Sequence, residues 1–165
     1  MSIIHDPSMK EIVIGFCDEA DALFDELQIS LEILEDIPAN TKELEKFGQI
    51  IDRIMGAAKS LALNDIAIFC ELGKIIGYKS SQIRDIPLIE VVVAILFDTL
   101  DLLRKMVKSL RDGNDGLMKN LNTKAFTTRL NWLSAKFKDI DRASVALEGN
   151  MDQNSIDELM QSLGL

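Results

Sequence analysis

Apolar residues recur along most of this chain at spacings of three and four, with polar residues between them. That period is helical, because residues three and four apart share one helix face. Over residues 8–36, Phe16, Ala20, Leu23, Leu27, Leu31 and Leu34 form such a face, with Phe24 adjacent. Asp18, Asp21, Asp25, Glu32 and Glu35 line the opposite face. Pro38 ends the segment, since the residue before a proline is pushed out of helical backbone. Leu44, Phe47, Ile50, Ile51, Ile54 and Ala58 predict a second helix to about residue 62. Asn40 as N-cap, with Glu43 following, has the form of a capping box at its start. Asn64 and Asp65 mark a break. Ile66, Ile68, Phe69, Leu72, Ile75 and Ile76 then predict a third helix ending near residue 83.

Asp85-Ile86-Pro87 is a start signal, a cap followed by proline in the first turn. The fourth helix is expected to run to about residue 111. Its stripe is Ile89, Val92, Val93, Leu96, Leu100, Leu103, Met106, Val107 and Leu110, widened by Val91 and Ile95. A helix apolar over so much of its girth is central to a bundle or makes a homodimer contact, here through residues 87–110. After a turn at residues 112–116, Phe126, Leu130, Leu133, Phe137 and Ile140 predict a fifth helix over about residues 123–142, with Trp132 alongside. Lys136, Lys138 and Arg142 sit late in it, where they complement the helix dipole.

The expected fold is therefore all-α, an up-down bundle of four or five helices, with no strand alternation and no internal repeat. Residues 1–8 form an irregular lead-in, residues 9–143 the bundle and residues 144–153 a polar linker around Gly149-Asn150. Residues 154–165 form a terminal amphipathic peptide. In that peptide Ile156, Leu159, Met160 and Leu163 share a face, and Ser155 with Glu158 makes a second capping box. The segment is too short to be stable as an isolated helix, so it folds on a partner or on its own bundle.

Composition narrows the function classes. The chain has 165 residues and a net charge of −9, which opposes binding to a phosphate backbone or an anionic membrane surface. The apolar run over residues 87–97 is too short to span a bilayer. No signal peptide is visible at the N-terminus, and the two cysteines, Cys17 and Cys70, lie among apolar residues outside any metal-binding spacing. Buried reduced thiols and a cytoplasmic location are expected. The single histidine, His5, lies in the lead-in and is assigned no role. Tyr78-Lys79-Ser80-Ser81-Gln82 is expected to be structural or a rim.

The chemistry that remains lies on the second helix. Glu45, Gln49, Asp52 and Met55 follow at spacings of four, three and three and are expected on one face, beside the small residues Gly56-Ala57-Ala58. Glycine inside a helix costs about 1 kcal/mol relative to alanine, so a close backbone approach is expected there.

Residues 16–84 resemble the histidine phosphotransfer domain. That family has a long acidic first helix and a second helix carrying His-x-x-Lys-Gly-x-Ala-x-x-Leu-Gly. Gly56, Ala58 and Leu61 match its glycine, alanine and leucine. Ala62 stands at the second glycine, Met55 at the lysine and Asp52 at the phosphorylated histidine. A carboxylate cannot replace imidazole as a stable phosphoryl carrier in this setting, so phosphotransfer is not expected. The resemblance leaves a surface for the receiver domain of a response regulator, with Met55 and Lys59 among its contacts.

The terminal peptide carries Gln153, then Ile156-Asp157-Glu158-Leu159-Met160, and ends Ser162-Leu163-Gly164-Leu165. It resembles the C-terminal peptide of the chemotaxis phosphatase family CheZ and the N-terminal peptide of the flagellar switch family FliM, both of which bind the response regulator CheY. The resemblance implies partner contacts at Ile156, Asp157, Leu159, Met160, Leu163 and Leu165. CheZ-type phosphatases place an acid and an amide, one helical turn apart, in the receiver's active site. By that likeness Gln49 would orient the attacking water, and Glu45 or Asp52 would engage the receiver's metal site or lysine. The expected function is binding, and dephosphorylation, of a CheY-like regulator in chemotaxis and two-component signal transduction. Mg2+ is expected in the receiver and no cofactor in this chain. The alternatives are a non-enzymatic Hpt-like adaptor or scaffold dimer that sequesters a receiver, or an inhibitor of a histidine kinase.

Overall fold

A computed structural model describes residues 3–114, together with Thr128, residues 131–133, Ala135 and Lys136. The chain divides into two units, Met1–Leu121 and Asn122–Leu165. The described part of the first is helical throughout: α1 Lys10–Asp36, α2 Lys42–Ser60, α3 Asn64–Ser81 and α4 Ile86–Arg111. In the second, Thr128, Asn131, Trp132, Leu133, Ala135 and Lys136 are helical, as the periodicity over residues 123–142 predicts. There the Lys136 ammonium lies 5.5 Å from the centre of the Trp132 ring. The expected linker at 144–153 and peptide at 154–165 lie outside the described residues.

Each helix of the first unit packs against its neighbours in sequence, and α1 packs against α4, so the four close into a ring. The side-chain pairs show that neighbours run antiparallel. Arg104 meets Asp25 while Arg111 meets Asp18, and Asp52 meets Lys74 while Lys59 meets Glu71. Short connections leave no other arrangement for adjacent packed helices. The core is aliphatic around Phe24, Phe47 and Phe69, each almost wholly buried. α4 spends its broad apolar stripe inside this bundle. Ile95 is buried with Ile89, Val92 and Leu96, and the large apolar residues it leaves exposed are Ile86 and Val91. Among the described residues no helix is long and apolar enough to cross a membrane.

The helix ends depart from expectation at three places. The N-terminal lead-in forms two short 3-10 turns, Ile3–His5 and Pro7–Met9. Asp6 caps the second by accepting hydrogen bonds from the Ser8 amide and hydroxyl at 2.9 and 2.6 Å. The capping box at Asn40 does not form. The residue before α2 is Thr41, in helical conformation and with no side-chain cap. Instead, the backbone carbonyls of Asn40 and Thr41 accept from the Glu43 and Leu44 amides at 3.1 and 3.0 Å, which tightens the entry into a turn. By contrast, Asp85 caps α4 through Leu88 N–H at 3.2 Å, as its sequence predicts.

The third departure closes α2. Leu63 N–H donates to the Ala58 carbonyl at 2.9 Å, and Ala62 N–H to that of Lys59 at 3.1 Å. This is the Schellman arrangement, with Leu63 buried against the helix end, and it places its C′ residue in the left-handed region. Ala62 occupies that position at φ +55°. Glycine adopts it without a side-chain clash, whereas an L-residue there costs about 1–2 kcal/mol.

Both cysteines are buried and free. Cys17 donates a weak hydrogen bond to the Val107 carbonyl at 3.8 Å, and burial raises its pKa. Burial pushes the Cys70 thiol from an ordinary 9.0 up to about 12.

Two outcomes follow. Ala62→Gly raises stability by about 1 kcal/mol, read as a higher denaturant midpoint at unchanged slope; a lower midpoint contradicts the left-handed cap. The folded protein also holds the Cys70 proton to higher pH than the unfolded chain does. The stability linked to it is complete below pH 9 and is lost as pH rises from 9 towards 12, by about 1.4 kcal/mol per pH unit. Alkaline denaturation of wild type against Cys70→Ala measures this, and the variant's profile should be the flatter one above pH 9.

Candidate functional site

The exposed side of α2 is narrow, because α1 and α3 cover its flanks. A helix turns about 100° per residue, which places Glu45, Gln49 and Gly56 within about 40° of one crest. All three are exposed. Asp52 lies on the α3 side of that crest and Arg53 on the α1 side, and their partners follow from this. Lys74 Nζ donates to Asp52 Oδ1 at 2.7 Å, and Lys59 lies 3.9 Å from Glu71. Arg53 lies 3.7 Å from Glu19. These are solvent-exposed ion pairs, each worth at most about 1 kcal/mol. They set which way each charge points more than they stabilise the fold.

Met55 does not belong to this face. It is 9% exposed and joins the core side of α2. The reason is geometric: each step of three residues falls about 60° short of a full turn, so two such steps from Gln49 through Asp52 rotate Met55 off the crest. The expectation that Met55 shares the stripe and contacts a partner is corrected accordingly. Glu45 and Gln49, in contrast, make no side-chain ion pair or hydrogen bond among the described residues. Lys59 stays exposed, with Glu71 beside it.

The small-residue patch also resolves differently. Nothing stands within 4 Å of where a Cβ on Gly56 would lie, so no neighbouring helix approaches there. The close approach is on α3. A Cβ on Gly73 would meet Ile51 Cδ1 at 2.7 Å, and one on Gly77 would meet the Leu44 carbonyl oxygen at 3.4 Å. Gly56 thus leaves backbone open to solvent on the crest, one helical turn from Asp52. Of the three small residues, Ala58 is the one that packs fully into the core.

Sequence periodicity missed Lys74. It stands between buried Gly73 and Ile75 on α3, and only the register of α3 against α2 shows that its ammonium reaches Asp52. Among the described residues no cluster of His, Cys, Asp and Glu could hold a metal ion. What the face presents is one unengaged amide (Gln49), one unengaged carboxylate (Glu45) and one neutralised carboxylate (Asp52). Such groups can orient water or dock against a polar pocket; they include no strong nucleophile.

The partner residues expected at Ile156, Asp157, Leu159, Met160, Leu163 and Leu165 lie outside the described residues. No family model, no curated protein and no solved structure matches the chain.

The two kinds of glycine predict opposite effects. Gly56→Ala fills open space on a helix and stabilises by about 0.5–1 kcal/mol. Gly73→Val drives two further carbons towards Ile51 and Phe47 and costs about 1–3 kcal/mol. Thermal unfolding of both variants checks the pair; the same sign for both would contradict this placement of α3.

Proposed function

We propose that this chain docks on the receiver domain of a CheY-like response regulator and promotes loss of its phosphoryl group. The observation that carries this reading is the crest of α2. Glu45 and Gln49 are exposed on one face, one turn apart, and nothing else among the described residues engages them. The partial match of residues 16–84 to the phosphotransfer domain supports the same face as the docking surface, and open backbone at Gly56 would let a partner approach closely. The likeness of residues 154–165 to receiver-binding peptides supports the same partner class.

In this reading Gln49 accepts a hydrogen bond from the attacking water and aligns it with the phosphoryl group. Glu45 engages the receiver's lysine or metal-bound water. The Mg2+ belongs to the receiver. Positioning and charge placement account for such catalysis, so exposed groups on a rigid helix suffice. A tail that binds first raises the effective concentration of the second contact.

One observation favours a second, non-catalytic reading. Asp52 is already paired with Lys74 at 2.7 Å, so the carboxylate nearest the position of the family's histidine is neutralised. On that reading the chain is an Hpt-like adaptor that occupies a receiver or blocks a kinase.

A receiver charged from a small-molecule phosphoryl donor distinguishes the two. Wild type should accelerate dephosphorylation, and Gln49→Ala should remove the acceleration, by about a hundredfold or more, while changing affinity by less than about twofold. Binding with no change in rate leaves the adaptor reading in place. Absence of binding by the full chain refutes both.

A further inference from the structure

A separate feature lies at the end of the bundle where the chain enters and α4 ends. The turns Ile3–His5 and Pro7–Met9, the first residues of α1 and the end of α4 line a cavity of about 390 Å³. That volume is within the roughly 300–1,000 Å³ range of small-molecule sites. Its apolar lining includes Ile4, Val13, Ile14 and Leu110. Ile14 lines the cavity and is 37% exposed although it is a large aliphatic residue.

The charges around it are unequally engaged. Asp6, Lys10 and Arg111 all line the cavity. The Asp6 carboxylate is held by the Ser8 hydroxyl and then its amide, which lower its pKa. The Arg111 guanidinium is clamped by Asp18 and Asp21 at 2.8 Å each. The Lys10 side chain has no ion-pair or hydrogen-bond partner among the described residues.

We propose that this cavity binds a small aliphatic monocarboxylate, its hydrocarbon against Ile4, Ile14 and Leu110 and its carboxylate on Lys10. The Lys10 ammonium has no partner among the described residues, which favours a negative head group. With Arg111 committed to Asp18 and Asp21, a single ammonium remains to receive it. That matches one carboxylate and not a phosphate dianion, which would need further donors. The apolar lining supplies the affinity and the ammonium the orientation, the usual division in such sites.

Octanoate is the probe and octanol its uncharged control, titrated into the full chain at pH 7 with backbone amide NMR as the readout. Octanoate should give saturable shifts confined to residues 3–14 and 110–113, at an affinity at least tenfold above that of octanol. Lys10→Gln should weaken octanoate about tenfold, the worth of one charge-assisted hydrogen bond, and leave octanol unchanged. Ile14→Trp, which fills the opening, should abolish both. Lys10 is exposed and Ile14 partly so, and far-UV circular dichroism verifies that both variants fold. The proposal is overturned by absence of saturable shifts, by equal affinity for octanol, by octanoate binding indifferent to Lys10→Gln, or by unchanged binding to Ile14→Trp.

Discussion

The contact on which the bundle depends is the close approach of α3 to α2. With no side chains at Gly73 and Gly77, α3 comes near enough for Ile51 Cδ1 and the Leu44 carbonyl to fill the space. Close-packed interiors leave little freedom once such a fit is made. Phe47 and Ile51 are held inward, and the rotation of α2 about its axis follows from that. Gln49 and Glu45 then have to face solvent, and Lys74, the residue after Gly73, has to lie over Asp52. The polar crest is thus a consequence of a packing decision made on the other side of the helix.

Helix existence and approximate bounds were legible because apolar faces three and four residues apart leave little else to form. The Asp85 cap was legible for a similar reason: acceptor and proline stand at the required offsets. What periodicity misjudged were matters of a few tens of degrees. Met55 follows the polar residues at a plausible spacing, yet drifts to the core because steps of three accumulate in one direction. Gly56 faces open space and not a helix, since composition shows that a side chain is missing and not what stands opposite. The glycines that admit a neighbouring helix, Gly73 and Gly77, sit in a segment whose apolar residues had already explained it. The left-handed backbone at Ala62 was not legible, since nothing in the apolar spacing marks a residue that must take positive φ.

Charge plays a different part on the other side of the bundle. α1 carries an acidic outer face, and α4 answers it with Arg104 and Arg111. Arg104 donates to Asp25 and Gln28 at 3.1 and 3.0 Å, and its guanidinium lies 5.7 Å from the centre of the Phe24 ring. The stem of such a side chain covers apolar surface while its head remains wet. These pairs cross the α1–α4 seam at successive turns, so a slip of one helix along the other would break them together. Their contribution is to register.

An even number of antiparallel helices has a topological result. Lys10 begins α1 and Arg111 ends α4 at the same end of the bundle, on residues that line one cavity. A four-helix piece that stops after Arg111 would therefore have neighbouring ends, which a short bridge could join in a circular permutant. The 61–63 connection shares that end, while 37–41 and 82–85 lie at the other. New termini opened at 82–85 would leave the α2–α3 contact, and with it the orientation of the crest, within one uninterrupted piece of chain.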